Sequence, residues 1–181
     1  RPPADPWEER FCADRKQLYR AILRNADFFK PVVAAINGHA LAGGAEMILS
    51  TDLRVMSSEA TIGITEVRRG LIAGGGSLVR LARQIPWAQA MELALVGEPV
   101  SAERALQVGL VNRVVPAGDA LAEAQRLATS IASKSPATVK IGKRAFYEQR
   151  EMGLKAAYDH ASAVMTENMM ARDAEEGIGA F

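Results

Sequence analysis

The sequence has one cysteine, Cys12, in 181 residues, so no disulfide can close within the chain. That suits a reducing compartment and makes the cytoplasm the expected location. It has no run of about 18 apolar residues, so no membrane-spanning helix is expected. No secretory leader is visible; Arg1 does not look like a natural start, so a targeting segment ahead of it stays open. Net charge is nearly absent: 22 basic against 21 acidic residues leave +1, which argues against a dedicated nucleic-acid binder. The two histidines, His39 and His160, are far apart and belong to no Cys/His/Asp spacing, so no metal site is expected. The glycine-rich runs lack the Gly-Lys-Ser/Thr ending of a phosphate loop, and no dinucleotide fingerprint is present. Ser50, Thr51 and Ser77 have no neighbouring histidine that could activate them as nucleophiles. What is present is a 49% apolar share, enough for one core, in a single domain or a domain with an appendage.

The organising stretch is KPVVAAINGHALAGGAEMILSTD, residues 30–52. Its apolar, β-branched run from Pro31 to Ile36 reads as a strand buried on both faces. Asn37 and Gly38 signal a turn. Ala42, Gly43 and Gly44 then lead into Ala45, Glu46, Met47, Ile48 and Leu49, the start of a helix. Small residues at such a junction let a ligand approach the backbone, and the free N–H groups with the helix dipole favour negative charge. Glu46 follows Gly43 by three residues, within about one helical turn of that anion site.

Around this centre, residues 1–9 read as a proline-rich mobile lead-in and residues 11–29 as a helix with an apolar face of Leu18, Ile22, Leu23, Phe28 and Phe29. Strands are expected at 53–57, 61–64 and 110–115. Helices are expected at 77–84, 87–96, 102–108, 118–134, 136 to about 152, and 154–170. Ser101 and Ser135 suit N-caps, Pro136 a first helical position, and Gly97 and Gly109 helix ends. The boundary between mixed α/β core and all-helical tail is placed at 135/136, with residues 1–10 as lead-in. Lys140, Lys143 and Arg144 read as a solvated helix face. No internal repeat or low-complexity segment is present.

Several segments, in order, resemble the enoyl-CoA hydratase/isomerase (crotonase) family: the 30–52 stretch, ATIGITE at 60–66, GLIAGGG at 70–76 with LVRL at 78–81, AMELALVGEP at 90–99, SAERA at 101–105 and GLVNRVV at 109–115. The resemblance runs from residue 30 to 181. It implies an α/β fold, the crotonase (ClpP-like) ββα superhelix with a C-terminal helical trimerisation region. It also implies that family strands preceding residue 30 are absent from this chain, and that the end at 176–181 is truncated. Phe11, Cys12, Ala13 and Asp14 look superficially like the segment that supplies the family's first oxyanion N–H. No strand precedes them and a charged run follows, so they are read as ordinary helix.

The same resemblance implies the chemistry: syn addition of water to a 2-trans-enoyl-CoA, giving a 3-hydroxyacyl-CoA. Glu46 and Glu66 would be the catalytic pair, twenty residues apart as in the family's hydratases. Gly43 would supply an oxyanion N–H, and Gly74 would help hold the water or thioester. No cofactor is implied beyond the coenzyme A that the substrate carries. The implied partners are an acyl-CoA thioester and two or five further copies of the chain, in a trimer or hexamer, with no membrane and no nucleic acid. Each residue also has a plainer reading. Glu46 could be a first-turn glutamate facing solvent, Glu66 a loop glutamate paired with Arg68 or Arg69, and Gly43 a glycine required by its turn. His39 is read as structural, with a place in the site wall as the alternative. Other activities left open are carnitinyl-CoA dehydration, enoyl-CoA isomerisation, and a non-catalytic RNA- or protein-binding role. Thr65 and Ala73 stand where the family often has proline, which leaves acyl preference open.

Overall fold

The structure is a computed structural model that describes residues 2–14, 17–24 and 28–180. The chain forms two compact units, one of residues 1–27 and 33–124, the other of residues 28–32 and 125–181.

In the first unit the chain alternates between two small sheets. β1 (Val33–Ile36) joins the first sheet and β2 (Ala40–Leu41) the second, and α3 (Gly43–Ile48) follows. β3 (Leu53–Ser57) returns to the first sheet and β4 (Thr61–Gly63) to the second; a 3-10 turn (Glu66–Arg69), α4 (Ser77–Gln84) and α5 (Trp87–Val96) follow. β5 (Val100–Ser101), α6 (Ala102–Gln107) and β6 (Arg113–Val115) complete the sheets. The orders are β1-β3-β6 and β2-β4-β5, with β5 the only antiparallel strand among those described. This is the strand-strand-helix repetition expected from the sequence.

The strand buried on both faces is β3, not β1. Arg54, Val55, Met56 and Ser57 are all buried, whereas β1 lies at the edge of its sheet and only Ile36 is buried. The core gathers Leu49, Met56, Ile62, Leu81 and Leu110 with their neighbours. Each such side chain contributes about 1.5–3 kcal/mol by leaving water. Leu49 fixes the end of α3 in that core at 1% exposure.

Residues 2–14 and 17–24 differ from expectation. Two short helices, α1 (Pro6–Ala13) and α2 (Gln17–Ala21), replace a lead-in and one long helix. Asp5 accepts hydrogen bonds from the Trp7 and Glu8 N–H groups, with Pro6 at the first helical position, so α1 starts five residues early. Asp14 ends it with a non-helical backbone. Cys12 lies exposed on α1, as an ordinary helical residue. Residues 15, 16 and 25–27 and the Leu18 side chain lie outside the described residues.

α7 (Ala120–Ala132) leads from the first unit to the second, which holds α8 (Pro136–Glu148), α9 (Leu154–Met169) and α10 (Arg172–Gly179). Ser135 caps α8 by accepting from the Thr138 N–H, with Pro136 first in the helix. The expected basic face is mostly engaged. Lys143 donates to Lys30 O at 2.7 Å and lies over the Phe28 and Tyr147 rings. Arg144 pairs with Glu167 at 2.9 Å. Lys140 alone of the three is exposed. No described helix is long and apolar enough to cross a membrane.

Candidate active site

β2 and β4 run parallel and side by side, Leu41 opposite Gly63, so their C-terminal ends emerge together. The Ala42 N–H donates to Gly63 O at 2.9 Å and ties the two ends. Within a few residues β2 passes into α3, which carries Glu46, and β4 into the 3-10 turn, which begins at Glu66. Topology therefore puts both glutamates at one end of the second sheet. Carboxyl ends of parallel strands are where open α/β sheets place ligands. On its other side Gly63 lets the chain entering β5 approach closely: a Cβ there would come within 2.9 Å of Pro99 Cα.

The sharp turn into α3 is made by Ala42, at φ 50° and ψ −123°. A non-glycine residue in such a region stores about 1–3 kcal/mol. Gly43 itself does not have positive φ, is exposed, and a Cβ on it would meet nothing within 4 Å. The turn does not require a glycine at position 43; the strain sits one residue earlier. Gly43 and Gly44 occupy the first turn of α3, where N–H groups have no partner inside the helix.

Glu46 does not face solvent. It is 6% exposed, and its Oε1 accepts a hydrogen bond from the Ser77 backbone N–H at 3.1 Å. Gly76, the N-cap of α4, offers no capping side chain, so the Glu46 carboxylate serves as the cap, near the positive end of α4. Gly75 leaves room for it, since a Cβ there would lie 2.9 Å from Glu46 Cδ. The glycine run thus folds back over the first carboxylate.

Glu66 is half-buried and is not in an ion pair with Arg68, which instead pairs with Glu98 at 3.2 Å. Its Oε2 is buried with no hydrogen-bond partner among the described residues, and so is the Ser77 hydroxyl. Leaving such an atom unsatisfied costs about 1–3 kcal/mol, so each calls for a water, a ligand or a job. Gly74 is exposed and lines a cavity of about 330 Å³ together with Gly75 and Gly76.

The other polar candidates are accounted for. His39 Nδ1 lies 2.9 Å from Thr61 Oγ1, a tie between the starts of β2 and β4. The Ser50 and Thr51 hydroxyls donate to Met47 O and Ile48 O at the end of α3. His160 lines a groove of the second unit, within 3.2 Å of Glu148 Oε2. Among the described residues no three His, Cys, Asp or Glu side chains gather as metal ligands would.

One residue was invisible to sequence reasoning. Arg54 on β3 is buried at 6% exposure and donates to Ile48 O, Leu110 O and Thr51 O at 2.9, 3.0 and 2.8 Å. It thereby ties carbonyls at and just after the end of α3 to Leu110 O, which lies ahead of β6. The rigid, planar arginine fork, with five N–H donors, suits carbonyls lying in several directions.

A sequence profile of enoyl-CoA hydratases and isomerases matches residues 9–181. The chain belongs to the enoyl-CoA hydratase/isomerase family. Its fold is the crotonase fold, as the sequence led us to expect. It is 35% identical over 181 residues to enoyl-CoA hydratase EchA19 of Mycobacterium tuberculosis, covering all of this chain and 67% of that protein. It is 40% identical over 151 residues to the rat enoyl-CoA hydratase domain-containing protein 3, mitochondrial, covering 83% of this chain and 50% of that one. The crystal structure of an enoyl-CoA hydratase from Mycobacterium tuberculosis H37Rv superposes with a TM-score of 0.83 at 42% identity, over 86% of this chain and 62% of that chain. The chain thus spans half to two thirds of the length of these curated relatives.

Proposed function

We propose that the protein is an enoyl-CoA hydratase, adding water syn across a 2-trans-enoyl-CoA to give a 3-hydroxyacyl-CoA, as in fatty-acid-type degradation. The observation that carries this reading is the pair of shielded carboxylates on the elements that leave β2 and β4 at the same end: Glu46 held by the Ser77 N–H, and Glu66 with a buried, unpartnered oxygen. Two carboxylates facing one water divide the labour. One takes its proton while the other delivers a proton to the α-carbon. By family resemblance Glu46 handles the water and Glu66 the carbon. The Gly43 N–H, exposed at the start of α3 with open space above it, would stabilise the thioester enolate. Preorganised donors of this kind often lower the barrier more than any other single effect. Gly74, on the return loop, would hold the water or thioester.

The reaction needs no cofactor beyond the substrate's own coenzyme A. A trimer or hexamer would cover the apolar faces of the tail, where Leu154, Tyr158, Met165, Met169 and Ile178 are more than half exposed. The lone cysteine favours a cytoplasmic setting; the mitochondrial name of the rat relative makes the organelle the alternative. The test is a panel of 2-enoyl-CoA esters, with carnitinyl-CoA added, incubated with the full-length protein, with the position of the product hydroxyl or double bond determined. A 3-hydroxyacyl product supports hydration. A shifted double bond with no alcohol points to isomerisation, and turnover confined to carnitinyl-CoA points to dehydration of that substrate.

A further inference from the structure

The cavity beside the glycine turn of residues 74–76 has a composition that hydration alone does not call for. One wall is that turn, and Gly75 has the Glu46 carboxylate against it, so this wall adjoins the proposed reaction centre. Leu78 and Val79 add aliphatic surface. The remaining lining is two arginines, Arg24 and Arg80. The volume, about 330 Å³, falls at the small end of the range of ligand pockets.

The arginines are not equivalent. Arg80 is committed to structure: its guanidinium donates to Ile22 O at 2.6 Å and to Leu23 O at 3.3 Å. It anchors the turn after α2, where Leu23 has φ 50°. Arg24 instead stacks on the Tyr19 ring at 4.5 Å, and no acidic side chain pairs with it among the described residues. Stacking fixes the plane of a guanidinium and leaves its edge donors free, the arrangement that suits a carboxylate or a phosphate. The positive charge of Arg80 nearby adds to the attraction.

We propose that Arg24 receives an oxyanion of the bound substrate, and that this oxyanion is a carboxylate ending the acyl chain. The substrate class is then an enoyl-CoA of modest length with an apolar middle and an acidic tail. This rests on the hydratase reading for the direction of the chain. The Glu46 carboxylate borders one wall of the cavity, and the aliphatic Leu78 and Val79 in its lining suit an acyl chain reaching from the reaction centre to Arg24. The other source of the same chemistry is a phosphate of coenzyme A.

The test separates binding from turnover. Affinities of the full-length protein for two saturated probes, glutaryl-CoA and butyryl-CoA, are measured by calorimetry for wild type, Arg24→Met and Arg24→Lys. Arg24 is exposed, and melting curves check that the variants fold. Wild type is expected to bind glutaryl-CoA more tightly than butyryl-CoA, and Arg24→Met to lose that preference by about 10- to 100-fold, as for a charged hydrogen bond. Arg24→Lys should keep part of it. Equal weakening of both probes would assign the anion to coenzyme A and overturn the acidic-tail substrate. No change for either would remove Arg24 from the substrate altogether. Hydration of glutaconyl-CoA and crotonyl-CoA is followed in parallel. If wild type hydrates neither, the hydratase reading fails, while the binding preference still judges Arg24.

Discussion

Gly43 shows how a structure can change the meaning of a residue without changing its candidacy. From the sequence, a glycine at this junction could serve the turn, the ligand or both. The turn is now assigned to Ala42, whose φ of 50° carries the strain, and the space over Gly43 is open. A side chain at 43 should therefore be tolerated by the fold and refused by the ligand. Gly43→Val is expected to melt within a few degrees of wild type, since one surface substitution in a helix's first turn costs at most about 1 kcal/mol. Turnover per folded molecule should fall by at least about 10²-fold, the loss seen when one oxyanion donor is removed. Melting and activity measured on the same sample decide this; normal activity per folded molecule would leave Gly43 out of the chemistry. Glu46 and Glu66 were legible as candidates because of their neighbours: apolar residues around the first, and a glycine-rich return after the second. What the sequence could not show was that the Ser77 N–H holds Glu46 while Arg68 turns away to Glu98. Both depend on a loop closing back across some thirty positions, which no local pattern encodes.

At the scale of elements, periodicity and caps located α4, α5, β3 and the start of α8, where a Gly, Pro or Ser marks an end. Periodicity failed where an element is too short to have a period, as in β2 and β5 with two residues each. Cap signals failed at α10, whose N-cap position is Ala171 and offers no capping side chain. α1 was missed for a different reason, since Asp5 and Pro6 carried a start signal that the proline-rich composition obscured. The second sheet, which positions the site, therefore had two of its three strands hidden. α3 depends on Arg54 in a way the sequence also hides. Arg54→Met would take the arginine donor from Leu110 O and Thr51 O in a buried place, while Ile48 O keeps the Thr51 N–H and hydroxyl, at a cost of about 3 kcal/mol. For a chain of this size that is a fall in Tm of about 6–12 °C. Arg54→Lys should recover less than half of it, because the three donors of a lysine radiate from one nitrogen and do not span the carbonyls as the guanidinium does. A thermal melt within two degrees of wild type, about the experimental scatter, would show that α3 does not rely on this residue.

At the scale of the molecule, the helical unit leaves more apolar surface open than a stable monomer should. Phe146, Leu154, Tyr158 and Met170 are each more than two thirds exposed. Large apolar side chains left open in this number mark interaction surfaces. The full-length protein is expected to sediment as a trimer or hexamer at micromolar concentration, and a monomer there would contradict the assembly proposed for this tail. Whatever the assembly, the proposed hydration stands on two carboxylates. Glutamine is the right replacement for each, because its amide oxygen can still accept the Ser77 N–H that Glu46 accepts, which preserves the cap of α4. The decisive measurement is the rate of crotonyl-CoA hydration by wild type, Glu46→Gln and Glu66→Gln, at saturating substrate and corrected for the folded fraction. Each substitution is predicted to lower kcat by at least about 10²-fold, as for loss of a positioned acid or base. Hydration at near wild-type rate in both variants would take the two glutamates out of the mechanism.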